Sequence, residues 1–166
     1  TGRVVSGGST ISMQVIRLSR KNPPRTYFEK AWELLLAIRL EFSYSKDEIL
    51  QLYASHAPYG GNVVGAETAS WRYFNRPLNQ LSWSESAMLA VLPNSPSLIH
   101  LGRNRDKLKT KRDGLLLKLY QNEIIDSLTY DLSLLEAIPE KPNPLPNAGC
   151  QQKTRVRTES IVGIEV

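Results

Sequence analysis

Three groups of residues in this 166-residue chain have the types and spacing to do chemistry. The first is Gly7-Gly8-Ser9-Thr10-Ile11-Ser12-Met13-Gln14-Val15-Ile16-Arg17, which sets small and hydroxyl residues at a helix entrance and then Gln14 and Arg17 on neighbouring turns. Free N–H groups and the helix dipole let such an entrance take an anion. An ordinary cap with two solvated polar side chains uses the same residues. The second group is Glu29, Glu33, Ala37 and Glu41, four apart and therefore drifting slowly around one helix face, with Lys30 three residues before Glu33. A charged stripe is usually the wet side of a helix. Glu33 stands out because Trp32, Leu34, Leu35 and Leu36 flank it and leave little room for a broad polar face. The third group, Arg103 to Arg112, is a basic run suited to phosphates, but it lacks the aromatic residues that stack on bases, and a solvated helix face explains it better.

Other chemistries are not indicated. His56 and His100 stand far apart without a Cys or Asp cluster, so no zinc site is expected. P-loop, dinucleotide and nucleophile-elbow motifs are missing from the sequence. The net charge of +5 favours anionic partners without choosing among them. A lone cysteine, Cys150, cannot form an internal disulfide and leaves the redox compartment open. No run reaches the roughly 20 apolar residues of a membrane span, and Thr1 to Gly8 is not a signal peptide.

The elements that must position these groups read as all-α, because apolar residues recur at helical spacing through most of residues 1–138 and strand-like alternation is scarce. A first helix is predicted near Ser9 to Ser19, capped by Ser9 or Thr10 and stopped by Lys21-Asn22-Pro23-Pro24. A second, about Tyr27 to Tyr44, is apolar in nearly every direction and is expected to be the central, most buried helix. Ser45 with Glu48, and Ser82 with Glu85, form capping boxes that open helices through about Ser55 and Leu92. Between them come a loop at Pro58 to Asn62 and a short helix at Gly65 to Phe74. Helices at about Asn104 to Tyr120 and Ser127 to Ala137 follow. One domain over residues 1–138, a proline-rich linker at 139–147 and a tail of unknown structure at 148–166 complete the reading.

Taken in order, these segments resemble glycosyltransferase family 51, the peptidoglycan polymerase domain of class A penicillin-binding proteins, and its 1C-type members in particular. Gly8-Ser9-Thr10-Ile11 with Gln14 is similar to the second motif of that family, and Lys30, Glu33 and Ala37 followed by Leu40-Glu41 to the third. Ser45-Lys46-Asp47-Glu48-Ile49-Leu50 with Leu52-Tyr53 continues the third. Tyr59-Gly60-Gly61, Gly65, Ala69-Ser70 and Tyr73-Phe74 resemble the fourth, and Leu81-Ser82 through Glu85, Ala87, Leu89-Ala90 and Pro93 the fifth.

The resemblance implies a lysozyme-like helical fold and a reaction in which the 4-hydroxyl of a lipid-linked disaccharide displaces a polyprenyl pyrophosphate, giving a β-1,4 bond with inversion. It implies that Glu33 is the catalytic carboxylate on the pyrophosphate side, and that Ser9, Thr10, Gln14, Arg17 and Lys30 contact phosphate or sugar. It implies no tightly bound cofactor, with a divalent cation (Mg or Mn) the one candidate ion. The partners implied are lipid II, the growing glycan and, through the parent protein, a membrane surface at the periplasmic face of the bacterial inner membrane; nucleic acid is not expected. Arg17 stands where lysine is commoner, and Glu29 where many members carry arginine, so the pyrophosphate side is less positive than usual. The general-base glutamate belongs to a first motif expected upstream of Gly7, so the chain as given is expected to be weakly active or inactive. Two other readings fit the residues: a lysozyme-like glycan hydrolase with one essential glutamate, and a helical module whose basic segment binds an anionic partner.

Overall fold

The computed structural model describes residues 9–20, 26–60, 63–94, 104–139 and 142–144. The proline stop at 21–25, the glycines before Ser9, Pro96, His100, Arg103, most of the proline-rich stretch and the tail at 148–166 lie outside the described residues. Seven α-helices and two short 3-10 turns are described, and no strand. None of these helices is long and apolar enough to cross a membrane. The described residues fall into two compact units that meet in sequence after His56.

The first unit holds α1 (Ile11–Ser19), α2 (Tyr27–Ser43) and α3 (Lys46–His56). Thr10 caps α1 by accepting from the Met13 amide, and Thr26 caps α2 by accepting from the Glu29 amide. At α3 the expected capping box forms: the Ser45 amide donates to Glu48 at 2.8 Å while the Glu48 amide donates back to Ser45 Oγ at 3.3 Å. Met13, Ile16, Ala37, Leu40 and Ile49 make the core, with Val15, Leu36, Tyr44 and Leu52 packed around it.

Helix α2 is not the buried centre that its composition implies. Its buried residues are Glu33, Ala37 and Leu40, one stripe at intervals of four and three, and this is the side that α1 and α3 cover. The opposite side carries Tyr27 at 97% exposure and Phe42 at 90%, with Phe28, Trp32, Leu35 and Ile38 between them. Two neighbouring helices can cover only part of a helix circumference, whatever the apolar count of the rest.

The second unit begins with a loop closed by an antiparallel bridge between Pro58 and Val64. The Tyr59 amide donates to the Val63 carbonyl, and Tyr73 Oη donates to the Tyr59 carbonyl at 2.8 Å. Gly60 at φ 106° and Gly65 at φ 88° occupy backbone that side chains disfavour, which fixes glycine at both ends of the turn. Then come α4 (Ala66–Phe74), α5 (Trp83–Val91), α6 (Arg105–Gln121) and α7 (Ser127–Leu135). The Ser82–Glu85 capping box opens α5 as expected. Ala87, Leu116 and Ile125 form a core over which Leu115, Leu119, Tyr130 and Leu134 pack, and Tyr120 stacks on Tyr130 with ring centres 5.2 Å apart. Asn143, within the proline-rich stretch, donates its amide to the Arg72 carbonyl at 2.7 Å and receives the Arg72 guanidinium on its own carbonyl.

The basic segment is only partly a solvated face. Arg105, Lys107 and Lys109 are exposed, but Leu108, Arg112 and Leu116 are buried at intervals of four. Arg112 is fully enclosed: Nη1 donates to Ser84 Oγ at 3.1 Å and to the Glu136 carbonyl at 2.7 Å, and Nε to Asp113 Oδ1 at 2.8 Å. These contacts tie α5, α6 and the end of α7 together, a bracing role that leaves this arginine closed to an outside anion.

Candidate active site

The candidate residues of the first unit lie along the seam between α1 and α2. Partner numbers rise on one helix as they fall on the other, Ser12 to Glu41, Arg17 to Glu33 and Arg20 to Glu29, so the two helices run antiparallel. The acidic stripe of α2 therefore lies toward α1, buried at Glu33 and open to water at Glu29 and Glu41.

The middle rung is the most specific. Arg17 Nε donates to Glu33 Oε1 at 2.8 Å and Nη2 to Oε2 at 2.9 Å, a two-pronged contact that matches a planar guanidinium to a carboxylate. The Glu33 side chain is 2% exposed and that of Arg17 is 20%. A buried carboxylate without a partner is costly, so the Arg17 guanidinium is what offsets the burial of Glu33 in the seam. The remaining nitrogen of Arg17, Nη1, makes no hydrogen bond among the described residues, and the side chain keeps its one-fifth exposure. This rung thus pairs a shielded negative charge with a positive group that still reaches solvent.

The outer rungs are wetter. Ser12, itself buried, donates to Glu41 Oε1 at 2.6 Å, and Lys46 Nζ reaches the other oxygen at 2.7 Å. The Lys46 ammonium, and after it the Ser12 hydroxyl, hold the Glu41 carboxyl below its usual range. At the far end Arg20 Nη1 donates to Glu29 Oε2 at 2.6 Å.

Of the residues singled out in the sequence, the fold brings Arg17 and Glu33 together. Thr10 is exposed and serves as the α1 cap, and Ser9 beside it is partly buried. Gln14 is partly buried one turn before Arg17. Lys30 is exposed, and the carboxylate of Glu33 turns to Arg17 instead of to it. Ser12 and Arg20 were not singled out, although their spacing from Arg17 along α1 places them opposite Glu41 and Glu29 once the helices are antiparallel. Among the described residues no group of three or more His, Cys, Asp or Glu side chains gathers to hold a metal ion. Both Glu33 oxygens are taken by a guanidinium whose charge would repel a cation, so this arrangement does not fit a divalent ion on Glu33.

A transglycosylase family model matches residues 1–121, the stretch that contains every rung of the seam. The chain belongs to the transglycosylase family. The chain is 44% identical over 119 residues to penicillin-binding protein 1C of Escherichia coli (strain K12), covering 72% of the chain and 15% of that protein. It is 38% identical over 115 residues to penicillin-binding protein 1F of Bacillus subtilis (strain 168), covering 69% of the chain and 16% of the relative. The chain therefore spans about a sixth of the length of these relatives. Among solved structures, penicillin-binding protein 1A of Haemophilus influenzae matches with a TM-score of 0.55 at 22% identity, over 87% of the chain and 18% of that structure. That likeness bears on the fold alone, and it agrees with the all-α, lysozyme-like architecture expected from the sequence.

Proposed function

We propose that the polypeptide carrying this chain is a peptidoglycan glycosyltransferase that polymerises lipid II into β-1,4 glycan strands, releasing undecaprenyl pyrophosphate at the periplasmic face of the bacterial inner membrane. The observation that carries the reading is the forked Arg17–Glu33 pair inside the stretch that matches the transglycosylase family.

In the reaction the 4-hydroxyl oxygen of one lipid-linked disaccharide forms a bond to the anomeric carbon of the donor glycan. The bond from that carbon to the pyrophosphate oxygen breaks, and the hydroxyl proton passes to a general base. By family resemblance that base is a glutamate of the first motif, and Glu33 belongs to the pyrophosphate side. The arrangement here supports a defined division of labour. Glu33 holds two of the Arg17 nitrogens in one plane, and the third is left for an oxygen of the leaving group as its negative charge grows. Lys30, exposed on α2, adds a mobile positive charge, and Gln14, Ser9 and Thr10 are polar groups near the entrance of α1 that suit sugar or phosphate oxygens.

A glycan polymerisation assay on the complete polypeptide tests this. Polymer is expected from the wild type, and Glu33→Gln is expected to lower the rate by about 10²-fold or more, as loss of a charge-organising group in a desolvated site does. Absence of polymer from the wild type would sink the assignment, and an unchanged rate in Glu33→Gln would remove Glu33 from the site. Release of soluble fragments from purified cell wall, without polymerisation, would replace transfer by hydrolysis.

A further inference from the structure

The Arg20–Glu29 rung differs from its neighbour in a way that bears on ligand binding. Arg17 commits two nitrogens to Glu33, whereas Arg20 commits one, Nη1, to Glu29, and its Nε and Nη2 make no hydrogen bond among the described residues. The Arg20 and Glu29 side chains are 30% and 28% exposed, against 2% for Glu33. A single-contact ion pair this open to water is weakly held. Arg20, the C-cap of α1, follows Arg17 by three residues and still bonds its amide back to the Ile16 carbonyl, so the two side chains project from neighbouring positions. Each retains donor capacity, and each is paired with a carboxylate of α2.

Two such guanidiniums side by side present donors to a ligand with two linked phosphates better than to one with a single phosphate. Arg17 lies in the last turn of α1 and Arg20 is its C-cap, so both stand at the end where the helix dipole disfavours an anion. Affinity at this place must therefore come from the side chains and should vanish with them.

We propose that Arg20 is a second diphosphate-binding residue beside Arg17, and that Glu29 is its internal competitor, a carboxylate that the diphosphate displaces on binding. The assignment of a polyprenyl diphosphate as the ligand rests on the glycosyltransferase reading. The site then has a fixed half, Arg17 clamped by buried Glu33, and an exchangeable half, in which Arg20 leaves Glu29 for the incoming anion. Glu29 sets how much of the Arg20 charge is on offer, so it tunes retention of the leaving group.

The test is calorimetric titration of the complete polypeptide with inorganic pyrophosphate and with farnesyl diphosphate. Arg20→Gln should weaken both by on the order of tenfold. Glu29→Gln should tighten both, because the competitor is gone while the guanidinium remains, and Arg20→Lys should fall between wild type and Arg20→Gln. Both glutamine variants break the same ion pair, so a merely structural clasp would move affinity in the same direction in each. That result, or the absence of pyrophosphate binding by a folded wild type, would overturn the proposal. Polymer formation with an Arg20→Gln affinity equal to wild type would overturn this proposal and leave the glycosyltransferase reading standing. A wild type that forms no polymer yet shows the opposite-signed affinity changes would sink that reading and keep the arginine pair.

Discussion

Among the described residues each unit buries one charged side chain, and the two are neutralised in different ways. Glu33 in the first unit is met by a single arginine from another helix, and that arginine remains one-fifth exposed. Arg112 in the second unit is met on several sides at once, by a neighbouring aspartate, a serine hydroxyl and backbone carbonyls. The first arrangement has an open side and can exchange partners. In the second the guanidinium is held from several elements at once, by Asp113 on its own helix, by Ser84 on α5 and by the Glu136 carbonyl at the end of α7, so loss of one partner does not free it. Exposure of the counter-charge does not separate the two, since Asp113 is 29% exposed and Arg17 20%; what separates them is that one partner holds Glu33 and several elements hold Arg112.

The comparison breaks most visibly at Arg112. Arg112→Met keeps much of the stem but leaves Ser84, Asp113 and the carbonyl of Glu136 without their donor, at a cost of about 3–5 kcal/mol. Thermal unfolding should begin roughly 10 °C lower. A variant that melts with the wild type would show that the enclosure of Arg112 is not a brace.

Next in size is Glu33→Gln read as stability instead of rate. It retains the shape and loses the charge, and because Arg17 can turn to water the cost should be about 1–3 kcal/mol, below that of Arg112→Met. Denaturant titration of the two variants side by side decides it, and an order reversed from this one would erase the distinction between a charge held by one partner and a charge held from several elements. Arg17→Lys is smaller again: it preserves charge but offers a point contact in place of a fork, and should cost about 1 kcal/mol while lowering pyrophosphate affinity. Equal affinity in Arg17→Lys would show that the planar geometry of the fork is irrelevant to binding.

The mildest effect concerns acid. Glu41 has a folded-state pKa held below the ordinary value of 4.5, with hydrogen bonds from Lys46 and Ser12 as the leading causes. Its stabilising contribution is therefore complete above the unfolded value and is lost as pH falls through the lower folded one. Melting curves from neutral pH down to pH about 3 should fall less steeply for Glu41→Gln than for the wild type. Parallel curves would mean that this rung carries no pH-linked stability.

Much of the fold was legible because the signals are local. Thr10, Ser45 and Ser82 mark helix starts by their own side-chain chemistry, and the structure places caps at all three. The exposure of α2 was not legible, since an apolar residue count says how much surface a helix would hide and not which neighbours exist to hide it. Glu33 stood out in the sequence for the bulky residues around it, yet Trp32, Leu34 and Leu35 are exposed and Glu33 is the buried one, on the α1 side. What holds it was not legible, because pairing with Arg17 depends on the antiparallel register of two helices joined through residues 20–26. Arg112 was misread as one more charge in a basic run. Its spacing of four from both Leu108 and Leu116 was the available clue, placing it on the leucine face.

The graded exposure of the α1–α2 seam also fixes how it responds to ionic strength. Mobile ions reach Lys46 and Glu41 at one end and Arg20 and Glu29 at the other, but they are excluded from Glu33 in the middle. Rising salt should loosen the two ends of the helix pair while the centre stays fastened, so amide exchange along α1 would quicken from its termini toward Arg17.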